Sequence, residues 1–455
     1  MENYDVVVVG SGTAGQTVAY DLNEQGLTVA VVERSHNPGG TCALRGCQPK
    51  KYFYEITETI ARCRHLTGMG IVSAPETSWG QVMTQKNRFV SPIPEGTVKG
   101  FEEAGIAYLE GVARCVDTET ISVDNRPISC GHLVLATGAR PMPLPFEGSE
   151  YVITSDEFLY LPNLPNRIVF VGGGFISFEF AHFAARLGPQ PMQIQILETN
   201  DRPLGQFDAD MVNLLLEASR EDNIQVMTRT MIVAVEKHET GFIVKTKSGD
   251  RLEADLVVHG AGRVPDIDDL NLEAVGIHHT QKGIMVNERM QTANPRVFAV
   301  GDCAATIQLA RVADHEAHVA AENILADLHR GQPAVMDYRT APFALFSYPQ
   351  YGMIGKTEDA IRQDGIEYQK STGHHLTWPT YKRVGLKHAA YKIMTGPDHR
   401  IIGAHILSDN ATGILNTLKL AMHTGLTVQE LYRQSIMSPY PSRESDLIYM
   451  LKPLL

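Results

Sequence analysis

Cysteine is scarce in this chain, with six among 455 residues. That density excludes a small secreted domain stapled by disulfides and makes a cytoplasmic location the expectation. Basic residues are outnumbered, 40 Lys and Arg against 52 Asp and Glu, for a net charge of −12. Such a chain is a poor match for nucleic acid or an anionic membrane, and neither is expected as a partner. No apolar run approaches the roughly 18 residues that span a bilayer. The opening Met1-Glu2-Asn3-Tyr4-Asp5 has none of the basic residues of a secretory signal. Low-complexity tracts and short-period repeats are missing as well. What remains is ordinary globular composition, 43% apolar and 20% charged. At ~150 residues per domain, the length suits two or three domains.

The residues that are present are strongly ordered along the chain. Asp5-Val6-Val7-Val8-Val9 is short, apolar and β-branched, as expected of a buried parallel strand. Gly10-Ser11-Gly12-Thr13-Ala14-Gly15 follows at once, then a helical stretch to about Gln25, then Gly26 and a strand from Leu27 to Val32 that closes on Glu33. The same grammar returns with the strand Arg167-Ile168-Val169-Phe170-Val171 and the turn Gly172-Gly173-Gly174-Phe175-Ile176-Ser177. A helix from Phe178 to Leu187, stopped by Gly188-Pro189, and a strand from Gln193 to Leu197 ending on Glu198 complete it. In such a turn the glycines allow a tight bend, backbone approach to a pyrophosphate, and close helix–strand packing. The helix N-terminus offers free N–H groups to the phosphates. An acid after the second strand, Glu33 or Glu198, accepts ribose hydroxyls. A carboxylate at Glu198 repels a 2′-phosphate, so NADH is favoured over NADPH, with Arg202 as the residue able to offset it.

These two units predict an α/β chain with two Rossmann-like nucleotide-binding domains. The stretch Pro141-Met142-Pro143-Leu144-Pro145 reads as a linker. From about Tyr338, alternating runs at Tyr391–Met394 and Ile401–Leu407 predict an antiparallel sheet, followed by amphipathic helices near Thr412–Thr424 and Val428–Gln434.

The cysteines are unevenly spread. Cys63, Cys115, Cys130 and Cys303 stand alone, whereas Cys42 and Cys47 fall within Gly39-Gly40-Thr41-Cys42-Ala43-Leu44-Arg45-Gly46-Cys47-Gln48-Pro49-Lys50-Lys51. Two nearby cysteines fit a metal half-site or plain buried thiols. No second pair at ligand spacing completes a zinc site, so no metal is expected. A redox disulfide is the better physical reading, because Gly46 helps close a small ring and basic neighbours favour thiolate.

This segment resembles the redox-active stretch of the flavoprotein disulfide reductases, which include glutathione reductase, dihydrolipoamide dehydrogenase and mercuric reductase. Further stretches are similar to that family. They are Leu135-Ala136-Thr137-Gly138, Gly262-Arg263-Val264-Pro265, Phe298-Ala299-Val300-Gly301-Asp302, and Phe346-Ser347-Tyr348-Pro349. The resemblance implies a glutathione reductase-like fold. Residues 1–148 and 269–337 would bind FAD, 149–268 NAD(P), and 338–455 would form an α+β dimerisation domain. It further implies a homodimer with the active site shared between subunits.

The family mechanism carries electrons from NADH or NADPH through FAD to the disulfide, and from there to a small-molecule or protein disulfide. By position, Cys47 is the flavin-proximal sulfur and Cys42 the thiol that attacks substrate. Lys50 or Lys51 would lie near the reactive flavin nitrogen, paired with Glu179, and Phe175 would gate the nicotinamide pocket. The residues expected to bind the two cofactors, FAD and NAD(P)H, are Gly10, Gly12, Thr13, Ala14, Gly15, Glu33, Arg34, Gly40, Thr41, Cys42, Lys50, Lys51, Val112, Ala136, Thr137, Gly138, Gly172, Gly174, Phe175, Ile176, Glu179, Glu198, Gly262, Arg263, Gly301, Asp302 and Ala310. Cys303 reads as a small buried residue.

One departure matters. The family's C-terminal His-Pro-Thr-x-x-Glu reads Tyr440-Pro441-Ser442-Arg443-Glu444-Ser445 here. A histidine near pKa ~6.5 exchanges protons at neutral pH, whereas a tyrosine near ~10 remains a donor. Tyr440 therefore takes the place of the acid–base residue, with Glu444 or Asp446 as candidate replacement acids. Tyrosine there is similar to mercuric reductase and the soluble transhydrogenases. The C-terminal cysteine pair of mercuric reductase is missing, since Cys303 is the last cysteine. The alternative reading is an FAD/NAD(P) electron-transfer enzyme (transhydrogenase, quinone or metal-ion reductase) whose disulfide is regulatory.

Overall fold

The computed structural model describes residues 2–455, and Met1 lies outside them. The chain divides into two compact units. The first comprises the residues up to Tyr52, Met83–Pro143 and Arg263–Tyr338; the second comprises Phe53–Val82, Leu144–Gly262 and Arg339–Leu455.

The first unit is built on a seven-stranded sheet. Its central strand, Glu2–Val9, runs parallel to Val29–Glu33 on one side and Arg126–Leu135 on the other; Val297–Ala299 continues the parallel order beyond. Successive side chains of a strand point to opposite faces. Val6 and Val8 accordingly enter one core with the helices Thr13–Glu24 and Ala310–Asp327. Val7 and Val9 enter another with Ile267, Leu270 and Leu272. Both faces are covered, which is what an unbroken β-branched run requires. The register pairs Val9 with Val32 and Leu135, and Leu135 with Ala299. Four parallel strands thus end level, and Gly10, Glu33, Ala136 and Gly301 all emerge at one carboxyl edge, where open α/β sheets take ligands.

The second unit contains a four-stranded parallel sheet in the order Ile224–Met227, Gln193–Leu197, Arg167–Val171, Leu256–His259. Its helix Phe175–Leu187 is buried from Ser177 to Leu187, consistent with a sequence apolar nearly all round. A five-stranded antiparallel sheet joins Phe343–Leu345, Gln350–Gly355, Ile401–Ser408, Ala390–Thr395 and Gln369–Gly373. The helix Ala411–Thr424 packs into its core.

Three local differences from expectation have simple causes. The second-copy helix starts at Phe175 rather than Phe178, because Gly174 takes the extended cap position directly before it. The second strand begins at Val29, after Thr28 has bonded to Asp5. Pro141 is not part of a free linker: Ala139–Pro141 forms a two-stranded ribbon with Arg263–Pro265.

Within the second unit, Lys392 is 1% exposed. Its ammonium lies 3.0 Å from Asp208, 2.6 Å from Asp210 and 2.8 Å from Glu358. Burial alone would raise the Glu358 carboxyl, but hydrogen bonds from Lys370, Lys392 and Tyr368 hold it well below the usual carboxylate range. Removing Lys392 leaves the buried Asp208 carboxylate without its ammonium partner where water cannot reach it, while Asp210 is half exposed and Glu358 keeps Lys370. Lys392→Met should cost about 3–5 kcal/mol, seen as a clear drop in the thermal unfolding midpoint. A midpoint equal to that of the parent chain would contradict this reading.

Candidate active site

The first glycine turn is held by its own acid. Glu33 Oε2 accepts from the Ser11 N–H at 3.0 Å and the Ser11 hydroxyl at 2.6 Å, while Oε1 accepts from the Ser35 N–H at 2.8 Å. A Cβ on Gly15 would overlap the Gly10 carbonyl oxygen, so the third glycine does permit the close helix–strand approach. Gly12 caps the helix Thr13–Glu24, leaving its first N–H groups pointing out of the turn. Thr13 bonds Asp314 through its hydroxyl, and Ala14 is buried.

The cysteine segment is seated directly on that turn. Gly39 N–H donates to Ser11 Oγ at 3.0 Å. The Gly40 and Gly12 backbones come so close that a Cβ on Gly40 would collide with Gly12. Gly40, Thr41 and Cys42 lie on the short helix Gly40–Leu44, and Cys47 opens the long helix Cys47–Leu66. Both cysteines are half-buried thiols. A hydrogen bond with Cys47, followed by burial, pushes the Cys42 thiol far above its ordinary range. Cys47 occupies a helix N-terminus, a position that favours thiolate. Lys50 and Lys51 follow at i+3 and i+4 on the same face, both half-buried.

Other expected cofactor residues of this unit lie along the same sheet edge. Ala136 N–H bonds Val9 O, and Gly138 O accepts from Asp266 N–H. Gly301 N–H donates to the buried Glu316 at 2.7 Å. Burial raises the Asp302 carboxyl, and nearby Arg263 lowers it in part. Ala310 opens the helix Ala310–Asp327. Arg34 instead pairs with Asp266 and Asp269, and Val112 N–H bonds Asp124. A glycine cradle, a helix N-terminus and a half-buried carboxylate suit a dinucleotide's pyrophosphate and polyol parts.

The second turn repeats the first. Glu198, 8% exposed, accepts from the Gly173 N–H at 2.8 Å and from the Asn200 backbone at 2.7 Å. Gly172 N–H bonds Leu197 O at 2.8 Å, as Gly10 N–H bonds Val32 O at 2.8 Å. Ser177 replaces the third glycine, and the space comes from Gly260, where any Cβ would overlap the Ser177 hydroxyl. Gly174 caps the helix, Ile176 is half-buried and Phe175 is 42% exposed at the helix start. Glu179 is 2% exposed and accepts from the Phe346 N–H at 3.0 Å, so it is no surface charge. It belongs to the second unit, while Lys50 and Lys51 belong to the first; Gly262 ends a segment of the second unit and Arg263 begins one of the first.

Comparison with known proteins decides the family. Residues 4–317 match the model for pyridine nucleotide-disulphide oxidoreductases, and residues 341–446 match the dimerisation domain of the same group. The chain belongs to the pyridine nucleotide-disulphide oxidoreductases. It is 29% identical to a glutathione reductase of Burkholderia cepacia over 93% of this chain and 94% of the relative. It is 30% identical to a mercuric reductase of Staphylococcus aureus, covering 94% and 79% respectively. The flavoprotein disulfide reductase RclA from Escherichia coli shares the fold, with a TM-score of 0.87 and 23% identity over 99% of both chains. The family uses FAD and NAD(P)H and acts on sulfur groups. Among the described residues, no helix is long and apolar enough to cross a membrane.

Against that family frame, the C-terminal segment is distinctive. Tyr440 is 63% exposed in the single chain, and its oxygen accepts from Arg383 Nη2 at 2.7 Å. The Arg383 guanidinium also lies 5.2 Å from the Tyr440 ring centre. Of the two candidate replacement acids, Asp446 is buried and bonded by Thr380. Sequence reading missed Ser11, Asp314 and Arg383. Ser11 was visible inside the turn itself; the others are brought in from distant segments and leave no local signal.

Cys303 is fully buried, its thiol pushed up to about 11, and burial raises Cys115 and Cys130 to about 11 and about 12. Cys303 is closed to solvent whereas Cys42 and Cys47 are half-buried. Brief iodoacetamide treatment of the reduced native protein at neutral pH should therefore label the Cys42–Cys47 segment, through Cys47 at its helix N-terminus, and spare Cys303, as read by peptide mass spectrometry. Equal labelling of Cys303 would contradict the assignment.

Proposed function

We propose that this chain is a homodimeric FAD-dependent NAD(P)H:disulfide oxidoreductase whose working redox pair is Cys42 and Cys47. The observation that carries the reading is the hydrogen-bonded thiol pair on a loop pressed against the first dinucleotide turn. When bound, FAD supplies the two-electron relay from the nicotinamide nucleotide. Gly10, Gly12, Gly15, Gly40, Thr41 and the N-terminus of Thr13–Glu24 would hold its pyrophosphate, with Asp302 at the polyol chain.

The chain's own chemistry is thiol–disulfide exchange. Cys42 attacks one sulfur of the acceptor; that S–S bond breaks, the proton of the Cys42 thiol passes to the departing thiolate, and a mixed disulfide remains on Cys42. Cys47 then attacks Cys42, releasing the second thiol and closing the Cys42–Cys47 disulfide. Two electrons from NAD(P)H reopen it. That proton needs a relay to the leaving thiolate, and the partner subunit's Tyr440 would line the substrate cleft and provide it. The matched dimerisation domain supports the homodimer.

Cys42→Ser and Cys47→Ser should each lower NADH-driven reduction of a disulfide acceptor by about 100-fold or more, with bound FAD retained. A panel of glutathione disulfide, lipoamide, coenzyme A disulfide, quinones and Hg(II) identifies the acceptor. Full turnover of Cys42→Ala with a quinone or nucleotide acceptor would instead favour electron transfer with a regulatory disulfide.

NADH is the proposed donor. Glu198 presents a carboxylate at the ribose end, and Arg202 gives its guanidinium to the carbonyls of Phe207, at 2.6 Å, and Gly205, at 3.0 Å. KM for NADPH should exceed that for NADH by roughly tenfold, about 1.4 kcal/mol. The reverse order in steady-state kinetics would overturn this choice.

A further inference from the structure

The second unit gathers a set of nitrogen and oxygen donors that the redox chemistry does not use. Glu217 and Glu221 lie one turn apart on the helix Ala209–Glu221 and share a face. His375 and His388 come from the connection between the strands Gln369–Gly373 and Ala390–Thr395, which folds back so that Leu376 N–H bonds Ala389 O at 2.9 Å. One donor atom from each of Glu217, His375 and His388 lies within 4.8 Å of the others.

The rings are already oriented. His375 Nδ1 donates to the Lys387 carbonyl at 3.3 Å, which turns Nε2 toward Glu217, 3.6 Å away. His388 Nε2 lies 3.0 Å from Glu221, while its Nδ1 is buried with no partner among the described residues. A backbone carbonyl on one ring and a carboxylate on the other are the outer contacts that orient metal-ligating histidines. Ligands held ~2.0–2.1 Å from a tetrahedral Zn²⁺ sit roughly 3.4 Å apart. The donor atoms lie within 4.8 Å of one another before any ion draws them together, and the Glu217 and His375 side chains are about half exposed. The ordinary alternative is two surface His–Glu ion pairs, which would contribute little.

We propose that Glu217, His375 and His388 form a site for a divalent transition metal of the Zn²⁺ class, with Glu221 as the contact that orients His388. Imidazole and carboxylate donors suit such ions better than Mg²⁺ or Ca²⁺. The ligands are too far apart in the chain to show a metal spacing, which is why the sequence alone predicts no metal. Bound metal would clamp the helix Ala209–Glu221 to the connection preceding the strand of Lys392.

The test is equilibrium dialysis of untagged, oxidised, FAD-loaded protein against Zn²⁺, followed by metal analysis. One Zn²⁺ per chain is expected. His375→Ala and His388→Ala should each weaken binding at least tenfold, with the flavin spectrum and NADH turnover unchanged. A Cys42→Ser/Cys47→Ser double variant should retain the ion. The proposal is overturned if the parent chain binds none, if binding survives both histidine variants, or if it vanishes with the cysteines.

Discussion

The contact on which the rest of the site depends is made by backbone alone. Gly12 and Gly40 meet with no space for a side chain between them, and Ser11 stitches the same two loops together through Gly39. One loop is the opening of a dinucleotide site; the other carries Cys42. A Cβ on Gly40 would push the cysteine segment away from the turn. The chemistry proposed here needs them adjacent.

A second constraint appears twice. Each glycine turn is fastened by the acid that ends the next strand, Glu33 on Ser11 and Glu198 on Gly173. A carboxylate has about four acceptor positions. Glu33 accepts three bonds and keeps one position for a ribose hydroxyl. Glu198 already accepts from Gly173, Thr199 and twice from Asn200, so a ribose hydroxyl there would have to replace one of these. The acid therefore organises the loop before any ligand arrives, which keeps the cost of ordering it out of the binding step. Ser177 shows how the pattern tolerates change. Its hydroxyl bonds the Gly172 carbonyl at 2.5 Å, and Gly260 supplies the room that the missing third glycine would have left.

Much of this was legible in the residues, because strands, turns and their acids are short-range patterns. Val6 to Val9 read as a doubly covered strand and Gly15 as a packing glycine, and each is found so. Properties set by distant partners were not legible. Glu179 is singled out only by the family resemblance, and nothing in its local sequence announces its burial or its bond from the Phe346 N–H. Lys392 sits in an alternating run that gives no hint of Asp208 or Glu358. His375 and His388 look unremarkable until the connection folds back beside Glu217. Tyr440 was visible as a departure from the family, but its partner Arg383 was not.

The central claim is that electrons entering from the nicotinamide nucleotide arrive at Cys42 and Cys47. Its most direct test is a thiol count under denaturing conditions, before and after anaerobic addition of one equivalent of NADH to the oxidised, FAD-loaded protein. The account predicts a gain of two thiols per chain, both mapping to Cys42 and Cys47. An unchanged count while NADH is consumed, or new thiols at other cysteines, would contradict it.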